Sequence, residues 1–183
     1  MESATMRDVF HSLKFFAAST GGAAPTRDDV RYLISSDTSE TFFLRSPFAR
    51  FTEQYTSRIS RGHEMLCGVS DDEILFMASI AYDDLTVDEL RWTWRLRDDE
   101  AVVYDVTTVP HARCRGLYTD ALTYCLHALH GRGVTRCWIY SETRNVASLR
   151  GIEHAAFTCK GTLRGLRIGP FAMRFGRVEG IRT

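Results

Sequence analysis

The chain has 183 residues, 44% of them apolar and 25% charged, which suits one soluble globular domain able to build its core without disulfide or metal staples. Twenty-three basic residues against 23 acidic ones give zero formal charge, which excludes a protein built mainly to bind nucleic acid or anionic membrane. Five widely spaced cysteines (Cys67, Cys114, Cys125, Cys137 and Cys159) with no C-x-x-C pair fit reduced thiols rather than a disulfide framework or a metal site. No apolar stretch approaches the roughly 20 residues of a membrane span and residues 1–20 lack a signal-peptide run, so the expected location is the cytoplasm.

Val9, Phe10, Leu13, Phe16 and Ala17 recur at helical spacing, which predicts an amphipathic helix over residues 5–18 that stops at Thr20-Gly21-Gly22. Val30, Leu33 and Ile34 suggest a second short helix, and Phe48, Phe51 and Tyr55 another beyond Pro47. The apolar runs 64–69 and 74–80, separated by Ser70-Asp71-Asp72-Glu73, read as a β-hairpin. Trp92, Trp94 and Leu96 alternate with Arg91, Thr93, Arg95 and Arg97, the period of a half-buried strand whose basic face either meets solvent or recognises an acidic substrate. Residues 101–109 form a central strand that stops at Pro110, and Leu117 to His130 carry Ala121, Leu122, Cys125, Leu126 and Leu129 on one helical face before the Gly131 and Gly133 stop. A strand over 137–140, a short helix behind Asn145 and a hairpin over 158–177 follow, giving a mixed α/β sheet in one domain, residues 1–183.

The segment 106–119 is a strand end and tight loop opening directly into a helix. The unpaired amides of a first helical turn and its positive dipole end favour an anion, and Gly116 lets a phosphate approach the backbone closely. Arg113 and Arg115 add positive charge there, although an ordinary loop with surface arginines fits the same residues.

Here the sequence resembles the GNAT acyltransferase superfamily. Arg113-Cys114-Arg115-Gly116-Leu117-Tyr118 is similar to its pyrophosphate loop Q/R-x-x-G-x-G/A, and Asn145-x-x-Ser148 followed by Glu153-His154-Ala155-Ala156-Phe157 is similar to its N-x-x-A/S and E-K-x-G-F endings. The resemblance covers residues 64–175. It implies a central, mostly antiparallel sheet with a splayed parallel strand pair flanked by helices, in which 63–177 form the acyl-CoA-binding core and 1–62 a divergent N-terminal helical part. It also implies acetyl-CoA or another acyl-CoA as co-substrate. Val106, Thr107 and Thr108 would offer strand-edge groups to the acyl and pantetheine arm, while Arg113, Cys114, Arg115, Gly116, Leu117, Tyr118 and Thr119 would cradle the pyrophosphate. Asn145 would bind the pantetheine region, cap its helix, or do both.

The implied activity is N-acetyl transfer by direct attack of a primary amine, on a small molecule such as an amino sugar, amino acid or polyamine, or on a protein. A non-catalytic acyl-CoA-binding or regulatory module on the same fold is the alternative, and a homodimer through an edge strand is compatible with the architecture. An aliphatic amine is mostly protonated at pH 7, a deficit of about 4–5 kcal/mol that a base has to cover. The family's positions for that base fall on Asp105 and Tyr104. Asp105 would act directly or through water, or else orient an arginine or bind substrate; Tyr104 would serve as an acid or simply pack. A strand amide near Thr108 would take the oxyanion.

Three positions depart from the pattern. Tyr118 replaces a Gly or Ala, Ala156 replaces a Gly, and Ile152 stands where many members carry the tyrosine that protonates the departing thiolate, leaving that acid missing, supplied elsewhere or unnecessary. His111 reads as a loop residue, His127 and His130 as helix-end residues, His154 as one turn from the missing tyrosine, and Cys114 as incidental. Phe42, Phe43, Phe48 and Phe51 either line an acyl channel or join the core.

Overall fold

A computed structural model describes residues 9–36, 48, 52–168 and 171–181. Its first strand, β1 (Val9–Ser19), replaces the helix expected at the start of the chain. Leu13, Phe15 and Ala17 are buried on one face and Phe16 and Ala18 on the other. A strand covered on both faces reads as a continuous apolar run, and this one mimicked helical spacing. The second expected helix is also a strand, β2 (Arg31–Ser35), followed by α1 (Thr52–Ile59) near the third. The N-terminal part is therefore not a helical appendage. Phe42, Phe43 and Phe51 lie outside the described residues, whereas Phe48 is buried in the core.

The rest follows the expected order with one strand added, β5: β3 (Glu64–Ser70), β4 (Glu73–Ala81), a small ribbon of β5 (Asp84–Val87) and β6 (Trp92–Arg95), β7 (Glu100–Thr108), α2 (Leu117–His130), β8 (Arg136–Glu142), α3 (Val146–His154), β9 (Thr158–Ile168) and β10 (Phe171–Val178). Eight strands form one sheet in the order β10-β9-β1-β8-β7-β4-β3-β2. β1 sits near its centre, between β9 and β8. One core covers the face carrying α2 and α3, with Phe16, Leu66, Phe76 and Ile139. The other packs Trp92 and Trp94 of the ribbon on Phe15, Val102 and Trp138. Each such side chain contributes about 1.5–3 kcal/mol by leaving water.

Two irregularities position the site. β7 and β8 are parallel, but they pair only over Glu100–Val103 and Arg136–Ile139 and separate from Tyr104 and Tyr140 onward. On the other edge of β7, Tyr104 opposes Ser79 and Thr107 opposes Met77, so Asp105 and Val106 together face the single residue Ala78. This is a β-bulge, with Asp105 in the left-handed region at φ 51°, a conformation aspartate tolerates better than most residues. Bulge and splay occur at the same step of β7 and open the sheet there.

Candidate active site at the strand splay

The loop after β7 turns sharply before α2. Cys114 (φ 61°) and Gly116 (φ 78°) are both left-handed, and Gly116 is the N-cap of α2. A Cβ at Gly116 would meet Asp120 Oδ2 at 3.8 Å and Arg27 Nη1 at 3.9 Å, ordinary van der Waals contact. A groove of about 630 Å³ runs along this loop between β7 and α3. Val106, Thr107 and Thr108 line it from the strand, and Arg113, Cys114, Gly116, Leu117, Tyr118 and Thr119 from the loop and α2. Asn145, Ser148 and His154 close it from the side of α3. The left-handed turn at Cys114 and Gly116 beneath the first-turn amides fits a diphosphate.

The arginines are less free than the sequence suggests. Arg113 Nε donates to the Thr108 carbonyl at 3.2 Å and braces the strand end. Arg115 pairs with Asp29 at 2.7 Å and does not line the groove. Arg27 donates to the Arg115 carbonyl, to Asp120 and to Asp29, tying the β1–β2 connection over the loop. The Arg27 guanidinium, with Arg115 behind it, holds the Asp29 carboxyl down to about 2. Asn145 caps α3, its side chain accepting from the Ser148 amide.

Beyond the splay lies a second cavity, of about 390 Å³, lined by Tyr104, Asp105, Tyr140, Asp88, Glu89 and Glu142 among others. It adjoins a third of about 500 Å³ with Arg58, Arg61, His63, Asp83 and Asp84 on its walls. Val106, Tyr118, Asn145 and Ser148 line both the second cavity and the loop groove. The two spaces therefore meet at the splay. Burial pushes the Tyr140 phenol upward, and Glu89, Tyr104, Asp105 and Asp88 push it further.

Three residues that sequence reasoning missed hold this region. Arg58, 8% exposed on α1, donates to Asp105 at 2.5 Å and to the Ser79 hydroxyl at 3.0 Å, with its guanidinium over the Tyr104 ring. His63 Nδ1 lies 2.6 Å from the Tyr104 hydroxyl. Arg58 follows the buried Tyr55 at a three-residue spacing, so it is a cation on the packed face of α1, the one signal that pointed to it. His63 and Ser79 carry no such mark.

Burial, aided by Arg61 and Arg58 and opposed by Asp83, holds the His63 imidazole below its ordinary range. The folded state then binds fewer protons at this site than the unfolded chain, whose histidine titrates near 6.5, so stability is lost as pH falls below that value. The Tm difference between wild type and His63→Gln is expected to shrink steadily from pH 7.5 to pH 5. A difference that is flat or grows on acidification would show His63 to be freely protonated in the fold.

His111, His127 and Arg95 take the plainer reading, whereas His154 lines the groove. His111 is exposed 3.5 Å from Glu73, His127 meets the Gly22 carbonyl, and Arg95 is exposed 3.8 Å from Asp84. Among the described residues, no three His, Cys, Asp or Glu side chains gather as a metal site, and no helix is long and apolar enough to cross a membrane.

No family model matches this chain, and no curated protein matches it. Solved structures do. A putative GNAT-family acetyltransferase from Novosphingobium aromaticivorans aligns over 86% of this chain and 64% of its own, at 19% identity and a TM-score of 0.56. A GNAT-family acetyltransferase from Colwellia psychrerythraea aligns over 87% and 55%, at 18% identity and a TM-score of 0.55. An aminoglycoside acetyltransferase from an uncultured soil metagenomic sample, in complex with trehalose, aligns over 69% and 86%, at 8% identity and a TM-score of 0.50. The chain thus spans less than two thirds of the length of the first two. At these identities the likeness establishes the fold, which is that of the GNAT acetyltransferases, with the expected mostly antiparallel sheet and its one parallel pair.

Proposed function

We propose that the protein is an acyl-CoA-dependent N-acyltransferase of the cytoplasm, moving acetyl from acetyl-CoA to a primary amine of a small molecule by direct attack. The observation that carries this reading is the junction at the splay: an amide-lined groove on one side meets a carboxylate-lined chamber on the other. The groove residues Val106 to Thr108, Arg113, Cys114 and Gly116 to Thr119, with Asn145, would hold the pantetheine arm and pyrophosphate. Strand amides freed beyond the bulge would receive the acyl oxygen as it gains charge.

The chamber supports a cationic acceptor. Asp83, Asp84, Asp88, Glu89, Asp105 and Glu142 line it and the space beside it, against Arg58 and Arg61. Asp105 would face the amine with the oxygen that Arg58 leaves open, its side chain 41% exposed, and take up the amine's proton directly or through water. Tyr104, on the hydrogen bond to His63, would fix the chamber wall beside it. An aminoglycoside acetyltransferase of this fold in complex with sisomicin adds weight to a small amine over a larger acceptor.

The test is a thermal-shift series with acetyl-CoA, longer acyl-CoAs and free CoA, followed by an amine panel read by thiol release. Stabilisation by acetyl-CoA together with amine-dependent thiol release is the expected result. Stabilisation with no release from any amine would instead favour a binding-only module, the reading suggested by the fully buried Ile152 on α3. No stabilisation by any CoA species would end both.

A further inference from the structure

The four residues shared by the groove and the acidic chamber, Val106, Tyr118, Asn145 and Ser148, mark the throat between them. A substrate reaching from one space into the other must lay its reacting bond there. Val106 has no exchangeable side-chain proton, and the Asn145 carboxamide, whose oxygen caps α3, is far too weak an acid to give one up. That leaves two hydroxyls, those of Tyr118 and Ser148, which are 2.7 Å apart and bonded to each other.

Tyr118 is held firmly in place. Its ring meets Phe76 edge-on at a centroid distance of 6.1 Å and lies against Gly151, where an added Cβ would come within 2.6 Å of the ring. A glycine inside a helix costs about 1 kcal/mol relative to alanine, so α3 gives up stability at the position that admits this ring. Ile152, the next residue, is fully buried and offers no proton. Burial pushes the Tyr118 phenol up to about 12, against the opposing pull of the Ser148 hydrogen bond, so its hydroxyl is protonated at neutral pH and available as a donor.

The geometry points to Tyr118 as the proton donor to the departing thiolate, with Ser148 as the hydroxyl that refills it. This rests on the acyltransferase reading above. As the amine nitrogen forms its bond to the acetyl carbon and sheds one proton to base or solvent, the carbon–sulfur bond breaks. Tyr118 Oη gives its proton to sulfur. The tyrosinate regains one through Ser148 from water, and the products are the amide and the free thiol.

Tyr118→Phe keeps the ring against Gly151 and removes only the hydroxyl. The first readout is the ultraviolet thiolate band of free CoA bound to the full chain, followed against pH. A phenol donating to sulfur stabilises the thiolate, so Tyr118→Phe should raise the midpoint by about one unit. The second is acetyl transfer, which should fall about 100-fold in the variant. Wild-type and variant rates should converge for an acetyl aryl thioester, whose acidic thiol leaves without a proton. Gly151→Ala, which displaces the ring, should reproduce both changes. An unmoved midpoint with CoA still bound would overturn the role of Tyr118 and leave the acyltransferase reading standing, whereas failure of the wild type to bind CoA would overturn both.

Discussion

Gly116→Asp is expected to abolish the stabilisation that acetyl-CoA confers while leaving the protein folded. Gly116 sits at φ 78° as the N-cap of α2, so any side chain there meets a left-handed penalty of about 1–2 kcal/mol. Aspartate offsets part of that, because it is a favoured N-cap and its Cβ would make only ordinary contacts, with Asp120 and Arg27. A net loss of about 1 kcal/mol would lower Tm by only about 2–4 °C in a domain of this size. Binding responds far more. The new carboxylate would stand where the first-turn amides and the positive end of α2 face the groove, opposing a diphosphate at contact distance. For the wild type at 100 times the dissociation constant, acetyl-CoA adds about 2.7 kcal/mol, a rise of about 5–10 °C. The variant should show no rise at the same concentration. Gly116→Ala brings the Cβ without the charge and should retain part of it. A full shift in Gly116→Asp would mean that the loop is not where the donor binds.

What the sequence disclosed about this site, and what it hid, follows from how local each signal is. α2 could be read to its end residues because one face is buried, the other is not, and glycines follow it. β1 could not, because Leu13, Phe15 and Phe16 are buried on opposite faces of the sheet and leave no alternation to read. The groove residues were legible because they are contiguous with Gly116. Arg115 is the exception: its partner Asp29 lies 86 positions earlier, and only the folded β1–β2 connection brings them together. The bulge at Asp105 leaves no mark in the chain, since nothing about an aspartate in a Val-rich strand announces a left-handed backbone. Tyr118 looked like a defect in a motif until Gly151, 33 positions later, proved to be the surface that receives it.

Arg58→Met should have the second large effect, on stability first and on turnover through it. The guanidinium stacks on Tyr104 at 4.9 Å and Tyr55 at 5.5 Å, and one nitrogen bonds both Asp105 and the fully buried Ser79 hydroxyl. Removing one partner of a fully buried ion pair costs about 3–5 kcal/mol. Asp105 is partly in water and can be rehydrated, so the expected loss here is smaller, about 2–3 kcal/mol, or about 5–10 °C in Tm. Arg58→Lys keeps the charge but not the planar stack or the forked donor, and should recover less than half of that loss. Asp105→Asn in the Arg58→Met background should cost less than it does alone, because the carboxylate has already lost its partner. Turnover should fall beyond what the folded fraction explains, since Arg58 ties α1 to the bulge at the step where β7 leaves β8. If Arg58→Met unfolds within a degree or two of the wild type, the bulge is held by the sheet alone and the splay needs no clamp from α1.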